Sequence, residues 1–417
     1  MFDEYIDAVK SRISWKRARN IATLELKDHM NDKMEELLSS GTDEKMAAVK
    51  VIECMGDPYK IGEELDRVYR PKINVMLLEL TSSLIIIGII INYLTDNLLR
   101  PDSFAAVVIG LTAASVLYFF DYTVLFRHPI KVYSIHLMIT LLFLLYDARN
   151  GLGMILYSYT FYPLFLFPVS LCITAFYIGS TKRKNGAYIF TLFAAVPASI
   201  AVIISSIPAF MIIVMAYVMI ILYGVRKKWF RISFKWVAFN LCLILSGITA
   251  SFSLSRVYGM RMFTTDTESS FVRQLISDSL HSAELYYGSN NSVDTAKQKI
   301  LRESFPFVMI AKKYGYIITV IMVLLFIALL CIMLYTAFRQ KTEAGRITAF
   351  ISFFVLAFQF ICSVISNIPF FVFLSLNIPF ILNGGIFTVM DFILIGIILS
   401  VSRHETIAKE LFLSKKA

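Results

Sequence analysis

Charge is what this chain has least of. Only 17% of its 417 residues are Asp, Glu, Lys or Arg, against 57% that are hydrophobic, and the mean hydropathy is +0.68. A soluble globular domain carries about 25% charged residues, so that class is excluded. Cysteine is also sparse. Cys54, Cys172, Cys242, Cys331 and Cys362 make no C-x-x-C pair and no metal-ligand spacing. Nothing here argues for a metal site or a cofactor, and the four cysteines in apolar runs read as small buried residues. A signal peptide is missing too. The first seventy residues are charged and helical in pattern, so they are expected to stay on the side of the membrane where they are made.

What the chain does have is a series of apolar runs of about 17–25 residues, the length that crosses a bilayer as a helix. They are placed near 74–94, 103–121, 131–147, 160–179, 187–205, 209–224, 235–253, 315–338, 346–368 and 385–402. The fold class expected is therefore all-α, a polytopic membrane protein of about ten transmembrane helices with a small helical N-terminal domain. The segment 131–147 is short, and 187–224 allows a different division around Pro197 and Pro208.

The net charge of +10 does not indicate nucleic acid. Residues 1–72 hold 13 Lys and Arg against 15 Asp and Glu, so the excess lies in the membrane part. With the N-terminal region inside, the short internal connections and the tail carry 17 Lys and Arg, while the short external ones carry Arg100 and Arg149. That asymmetry places both termini in the cytoplasm and residues 254–314 outside.

The N-terminal region has its own local signals. Leu26, Met30, Met34, Leu37 and Leu38 form an apolar stripe at helical spacing. Ser40-Gly41 ends that helix, and Thr42-Asp43-Glu44 starts the next with an N-cap and an acidic turn. Gly56 closes the third helix, and Asp57-Pro58 opens the fourth. With Gly56-Asp57-Pro58 and the closing Arg70-Pro71-Lys72, this region resembles the permease prefix domain, also called the HAAS domain. That resemblance implies no catalysis. The expected division is a cytoplasmic prefix domain at 1–72, a membrane domain at 73–403 and a cytoplasmic tail at 404–417.

The last hundred residues hold Lys313-Tyr314-Gly315, Ala344-Gly345-Arg346, Ile378-Pro379-Phe380 and Asn383-Gly384-Gly385, then an apolar run to Arg403. This frame resembles the C-terminal third of the FtsW/RodA/SpoVE family. The resemblance implies a membrane protein of bacterial cell-wall synthesis in division, shape or sporulation. It also implies lipid-linked peptidoglycan precursor as ligand and a single-pass penicillin-binding transpeptidase as partner.

The family's activity is glycan polymerisation, with a carboxylate at the outer face activating a sugar hydroxyl. Its signature His-Thr-Asp-Phe-Ile-Phe, followed by Ala-Glu-Glu-Leu-Gly, meets here the run Arg302 to Gly315. Phe305, Phe307, Ala311 and Gly315 match, Ser304 stands at the aspartate, and Lys312-Lys313 stand at the glutamates. Two further landmarks keep their proline and lose their acid. Tyr162-Pro163-Leu164-Phe165 puts Phe165 at a glutamate, and Ile207-Pro208-Ala209-Phe210 puts Ala209 at an aspartate.

Serine has no carboxylate, so the resemblance implies an inactive catalytic position at Ser304. Glu303 is the possible substitute acid, against the plainer reading of a solvated acid paired with Arg302. Asp266, Glu268, Asp278, Glu284 and Asp294 read as ordinary solvated acids. Arg256, Arg261, Arg273 and Arg302 could clamp a pyrophosphate or anchor in lipid headgroups.

Within 270–285, Phe271, Val272, Leu275, Ile276, Leu280 and Ala283 share a helical face, which suits a helix lying at the outer interface. Membrane-embedded charge is scarce: Asp391 lies in the last span, and the uncharged Gln359 in the ninth. Asp391 reads equally as a functional acid or as a helix–helix hydrogen bond. Three function classes follow: a degenerate, non-catalytic or regulatory family member; an active glycosyltransferase using Glu303; and a permease or transporter. The serine at 304 favours the first, and the scarcity of embedded charge counts against the third.

Overall fold

The computed structural model describes residues 2–404 except 72–73, 97–100, 151–159, 205, 258–265, 287–296, 298–299, 302–304, 369–375, 377 and 381–384. The described secondary structure is entirely helical. The chain forms two compact units. The described part of the first runs to Asn74 and includes Gln340–Gly345 and residues 401–404; the second spans Val75–Arg339 and Arg346–Ser400.

The first unit contains α1 (Asp3–Arg12), α2 (Lys16–Ser39), α3 (Glu44–Met55) and α4 (Pro58–Tyr69). The caps read from the sequence are present. Asp43 Oδ2 accepts the Lys45 N–H at 3.3 Å, and Asp57 Oδ1 accepts the Tyr59 N–H at 3.0 Å, with Pro58 in the first turn of α4. Gly56 closes α3 at φ +82°, a conformation that disfavours side chains with a Cβ. Val9, Ile13, Ala18, Ala22, Met30 and Val51 form a core in which none is more than 1% exposed, and Leu26, Met34 and Leu37 pack against it. Leu38 departs from the expected stripe and is exposed. It lies about 100° around the helix from Leu37, and α2 has little core left to cover at that end.

Asp66 ties α4 to the turn between α1 and α2. The Ser14 N–H donates to Oδ1 at 2.8 Å and the Ser14 hydroxyl at 2.5 Å, while Arg70 Nη2 lies 2.9 Å from Oδ2. Burial alone would favour the neutral acid. The Ser14 bonds and the Arg70 charge outweigh it, so the carboxyl titrates below its ordinary range. In the same unit Trp15 lies against His404, ring centroids 5.6 Å apart.

The second unit begins with α5 (Val75–Asp96), α6 (Pro101–Phe119), the short α7 (Thr123–Arg127), α8 (Pro129–Asn150) and α9 (Phe161–Ser180). It continues with α10 (Gly186–Ile203), α11 (Ile207–Arg226), α12 (Phe234–Val257), α13 (Asp266–His281), α14 (Pro306–Tyr314), α15 (Tyr316–Arg339), α16 (Glu343–Ser366) and α17 (Ile386–Arg403). Among the described residues, α8 to α12 and α15 to α17 are long and apolar enough to cross a membrane. The apolar stretches Val75–Ile91 and Phe104–Phe119 of α5 and α6 add two shorter ones. The protein is an all-α, multi-pass membrane protein with apolar helices at the ten expected places. The helix expected to be short covers Pro129–Asn150. Pro197 lies inside α10, whereas Pro208 sits in the first turn of α11, where its missing N–H has no helical partner to lose.

Polar side chains fix the packing of the spans. His136 on α8 stacks on Phe167 of α9 at 4.1 Å, with Nε2 2.9 Å from the Pro163 carbonyl and Nδ1 2.5 Å from the Ser170 hydroxyl. A carbonyl only accepts, so Nε2 carries the hydrogen and Nδ1 accepts from Ser170. Tyr217 on α11 donates to Asn240 Oδ1 on α12 at 2.6 Å and lies 2.7 Å from Thr191 Oγ1 on α10. Trp236 Nε1 donates to the same Thr191 oxygen at 3.2 Å.

Helices α6 and α17 approach closely. A Cβ added at Gly396 would lie 2.9 Å from the Ala114 Cα. Cys172 and Cys362 are buried as expected. Cys54, Cys242 and Cys331 are exposed; the latter two sit on faces of their helices that no other described part of the chain covers.

Candidate functional site

The segment that carries the family signature leads into α14. Phe305 precedes the helix and Pro306 occupies its first turn. Phe305, Val308 and Met309 form an apolar cluster with Leu275 and Ile276 of α13 and with Leu301. Phe307 meets Phe360 of α16 edge-on, centroids 6.2 Å apart. The far end is tied to the start of α15. Tyr316 and Ile317 donate their N–H groups to the carbonyls of Glu284 and Leu285 at 3.1 and 3.2 Å, and the Tyr316 hydroxyl reaches the Leu280 carbonyl at 2.7 Å.

The first turn of any α-helix leaves N–H groups without a helical acceptor. In α14 one of them is satisfied from a different helix. The Val308 N–H donates to Asn367 Oδ1 at 2.9 Å, and Asn367 Nδ2 donates to the Ser363 carbonyl at 2.5 Å, in the last turn of α16. Asn367 therefore bridges the end of α16 to the first turn of α14, at Val308, three residues after the N-cap Phe305. Sequence inspection did not single out Asn367. Its only local signal is a short amide side chain just past an apolar run, and its partner lies 59 residues away.

Helix α13 is amphipathic as expected, with Leu275 and Ile276 buried and Arg273, Gln274, Asp278 and His281 exposed. Its apolar face is not left for an interface. It is covered by Leu301, Phe305, Val308 and Met309, and Phe271 falls outside that contact and is exposed.

Of the site residues read from the sequence, Arg261, Arg302, Glu303 and Ser304 lie outside the described residues. Arg256 is placed by its backbone in the last turn of α12. Arg273 projects from the exposed face of α13. The described arginines are not shown converging on one point. The described charges near α14 are of both signs: Lys312 and Lys313 on the helix, with Lys297 and Asp278 acting on Lys312. Lys312 Nζ lies 3.5 Å from Ser279 Oγ. Partial burial lowers its pKa, the neighbouring Lys297 adds to that, and Asp278 opposes it. Asp278 and Glu284 are exposed, in line with solvated acids. Among the described residues no group of three His, Cys, Asp or Glu could hold a metal.

The two other landmark positions are apolar interior. Phe165 is 0% exposed and lies in an aromatic group with Phe161 and Phe387, 6.0 and 5.9 Å away. Ala209 is also fully buried, in the first turn of α11, where its N–H meets Ser206 Oγ at 3.4 Å. A phenyl and a methyl group at these places can accept no proton and offer no carboxylate to a cation. The embedded pair Asp391 and Gln359, separate in sequence, meet in the structure through a side-chain hydrogen bond.

With this geometry in place, the fold can be compared with known ones. The chain is similar to one solved in work on the structural coordination of polymerization and crosslinking by a peptidoglycan synthase complex. The TM-score is 0.57 at 15% identity, covering 80% of this chain and 98% of that one. It also matches a crystal structure of a mutant of the rod shape determining protein RodA from Thermus thermophilus, with a TM-score of 0.45 at 14% identity over the same shares. No family model matches the chain, and no curated protein does. The class that fold and site define is a multi-pass helical membrane protein sharing its fold with a chain of a peptidoglycan synthase complex.

Proposed function

We propose that this protein acts in bacterial cell-wall synthesis as a degenerate, non-catalytic or regulatory protein of the FtsW/RodA/SpoVE type. In this reading it sits in the cytoplasmic membrane with both termini inside. Residues 1–72 form a prefix-type cytoplasmic domain, and residues 73–403 form the membrane domain. It engages lipid-linked precursor or a single-pass penicillin-binding transpeptidase without polymerising glycan itself. The observation that carries the reading is the pairing of a shared fold with apolar interior at two positions where the family would need acids, Phe165 and Ala209. Ser304 in the sequence supports the same reading.

Glycan-chain formation from labelled lipid-linked disaccharide tests this. No polymer is expected from the wild type, because loss of a general base costs about 10²–10⁴-fold. Robust polymer from the wild type that disappears in Glu303→Gln would overturn the proposal in favour of a glycosyltransferase with a displaced acid. Polymer gained in Ser304→Asp would support it.

A further inference from the structure

Asp391 lies five residues beyond the first residue of α17, about 7.5 Å along the helix axis, and it is 0% exposed. Three observations define its surroundings. The Phe380 N–H donates to Oδ2 at 3.1 Å. The Gln359 side chain on α16 hydrogen-bonds the same carboxyl. The second oxygen, Oδ1, is buried without a hydrogen-bond partner.

Among the described residues no charged group meets it. α6 approaches α17 through Gly110 against Phe392 and Ala114 against Gly396. α9 approaches through Phe161, Tyr162 and Phe165 around Phe387; Tyr162 is the titratable group of that contact and lies against the Phe387 ring. α16 contributes the uncharged Gln359. A carboxylate removed from water with two neutral dipoles for company is costly to keep ionised, and binding a proton relieves that cost. A neutral carboxylic acid fits the site. It can accept the Phe380 N–H on Oδ2 and carry its hydrogen on Oδ1, the oxygen that no donor reaches, whereas the ionised form leaves charge on both oxygens.

The partner backbone gives that bond a purpose. Phe380 has φ +62°, a left-handed conformation costly for a residue with a large side chain. The ring of Phe380 is buried and packs edge-on against Phe392, centroids 5.5 Å apart. Ring packing on one side and the Asp391 bond on the other hold the turn at 378–380 in this shape. We propose that Asp391 binds a proton within the membrane, and that the resulting neutral acid latches the turn at 378–380 to α16 and α17. This inference rests on the geometry of α16, α17 and the turn, not on the role in wall synthesis.

The test uses the full chain in lipid nanodiscs. At neutral pH, infrared spectroscopy of the wild type is expected to show the carbonyl stretch of a protonated carboxyl, shifted on deuterium exchange, absent in Asp391→Asn and displaced in Gln359→Leu. Thermal melting adds a second readout. Asp391→Asn keeps a neutral acceptor for the Phe380 N–H and is expected to melt near the wild type, while Asp391→Val orphans that N–H and is expected to melt several degrees lower. A wild-type spectrum without the band would overturn the proposal. So would an Asp391→Asn protein that loses as much stability as Asp391→Val. Should Asp391→Asn fail to fold, that failure itself counts against a neutral latch, and the wild-type spectrum still decides independently.

Discussion

Truncating Asn367 to alanine should loosen α14 without unfolding the membrane domain. The substitution removes the oxygen that accepts the Val308 N–H. Val308 is only 1% exposed, so water does not replace the acceptor, and a buried donor left unpaired costs about 1–3 kcal/mol. Helix-cap losses measured elsewhere, about 0.5–2 kcal/mol, give the same scale. The second bond of Asn367, to the Ser363 carbonyl, adds little, because that carbonyl also accepts from the Ser366 hydroxyl at 2.9 Å. A loss of about 1–3 kcal/mol corresponds to about 5- to 150-fold more frequent local opening. Hydrogen–deuterium exchange of peptides covering 305–314 should report it, with peptides from α9 unchanged. Asn367→Asp keeps the acceptor, with its charge favourable at the start of α14 and unfavourable at the end of α16, and should loosen α14 less than Asn367→Ala does. Unchanged exchange in Asn367→Ala, or equal loosening in Asn367→Asp, would refute the assignment of Asn367 as a cap.

Three further outcomes are expected. The Asp66 carboxyl is held below its ordinary range, so it stabilises the first unit above the usual carboxylate value of about 4 and that stability is lost as pH falls through the lower, folded value; circular dichroism of a 1–74 fragment should show acid-induced loss of helix that flattens in Asp66→Asn. Gly396→Leu pushes a side chain into the Ala114 backbone and should destabilise by about 1–3 kcal/mol, read as a lowered melting temperature. In a cysteine-depleted background, an impermeant thiol reagent applied from outside should label Asn290→Cys and spare Arg183→Cys; the opposite pattern would reject the proposed topology.

Much of the architecture was legible because spans and caps are local signals. Ten apolar runs became ten apolar helices, and Asp43, Gly56 and Asp57 mark helix ends through bonds to residues two to four positions away. Pattern fails where a choice depends on neighbours in space. Leu38 and Phe271 have the right residue type at an acceptable spacing, yet both are exposed because the opposing surface ends before reaching them. The apolar face of α13 looked suited to lipid because periodicity reports an apolar face without saying what covers it. The site divides the same way. Asp391 and Gln359 stand out as polar residues in apolar runs, but the Phe380 N–H that occupies Asp391 is a backbone group with no sequence signature. Asn367 and Val308 are ordinary residues until the chain brings them together.

The first unit has a consequence for the order in which the chain is made. Its hydrophobic core is complete within residues 2–69, so that core can form as soon as those residues are available. The contact of Trp15 with His404 must wait for almost the whole chain. At about 5–20 residues per second, the 389 residues separating the two rings take roughly 20–80 s to synthesise. During that time the Trp15 side chain remains without its His404 partner, and this part of the unit closes only after the last span has been made.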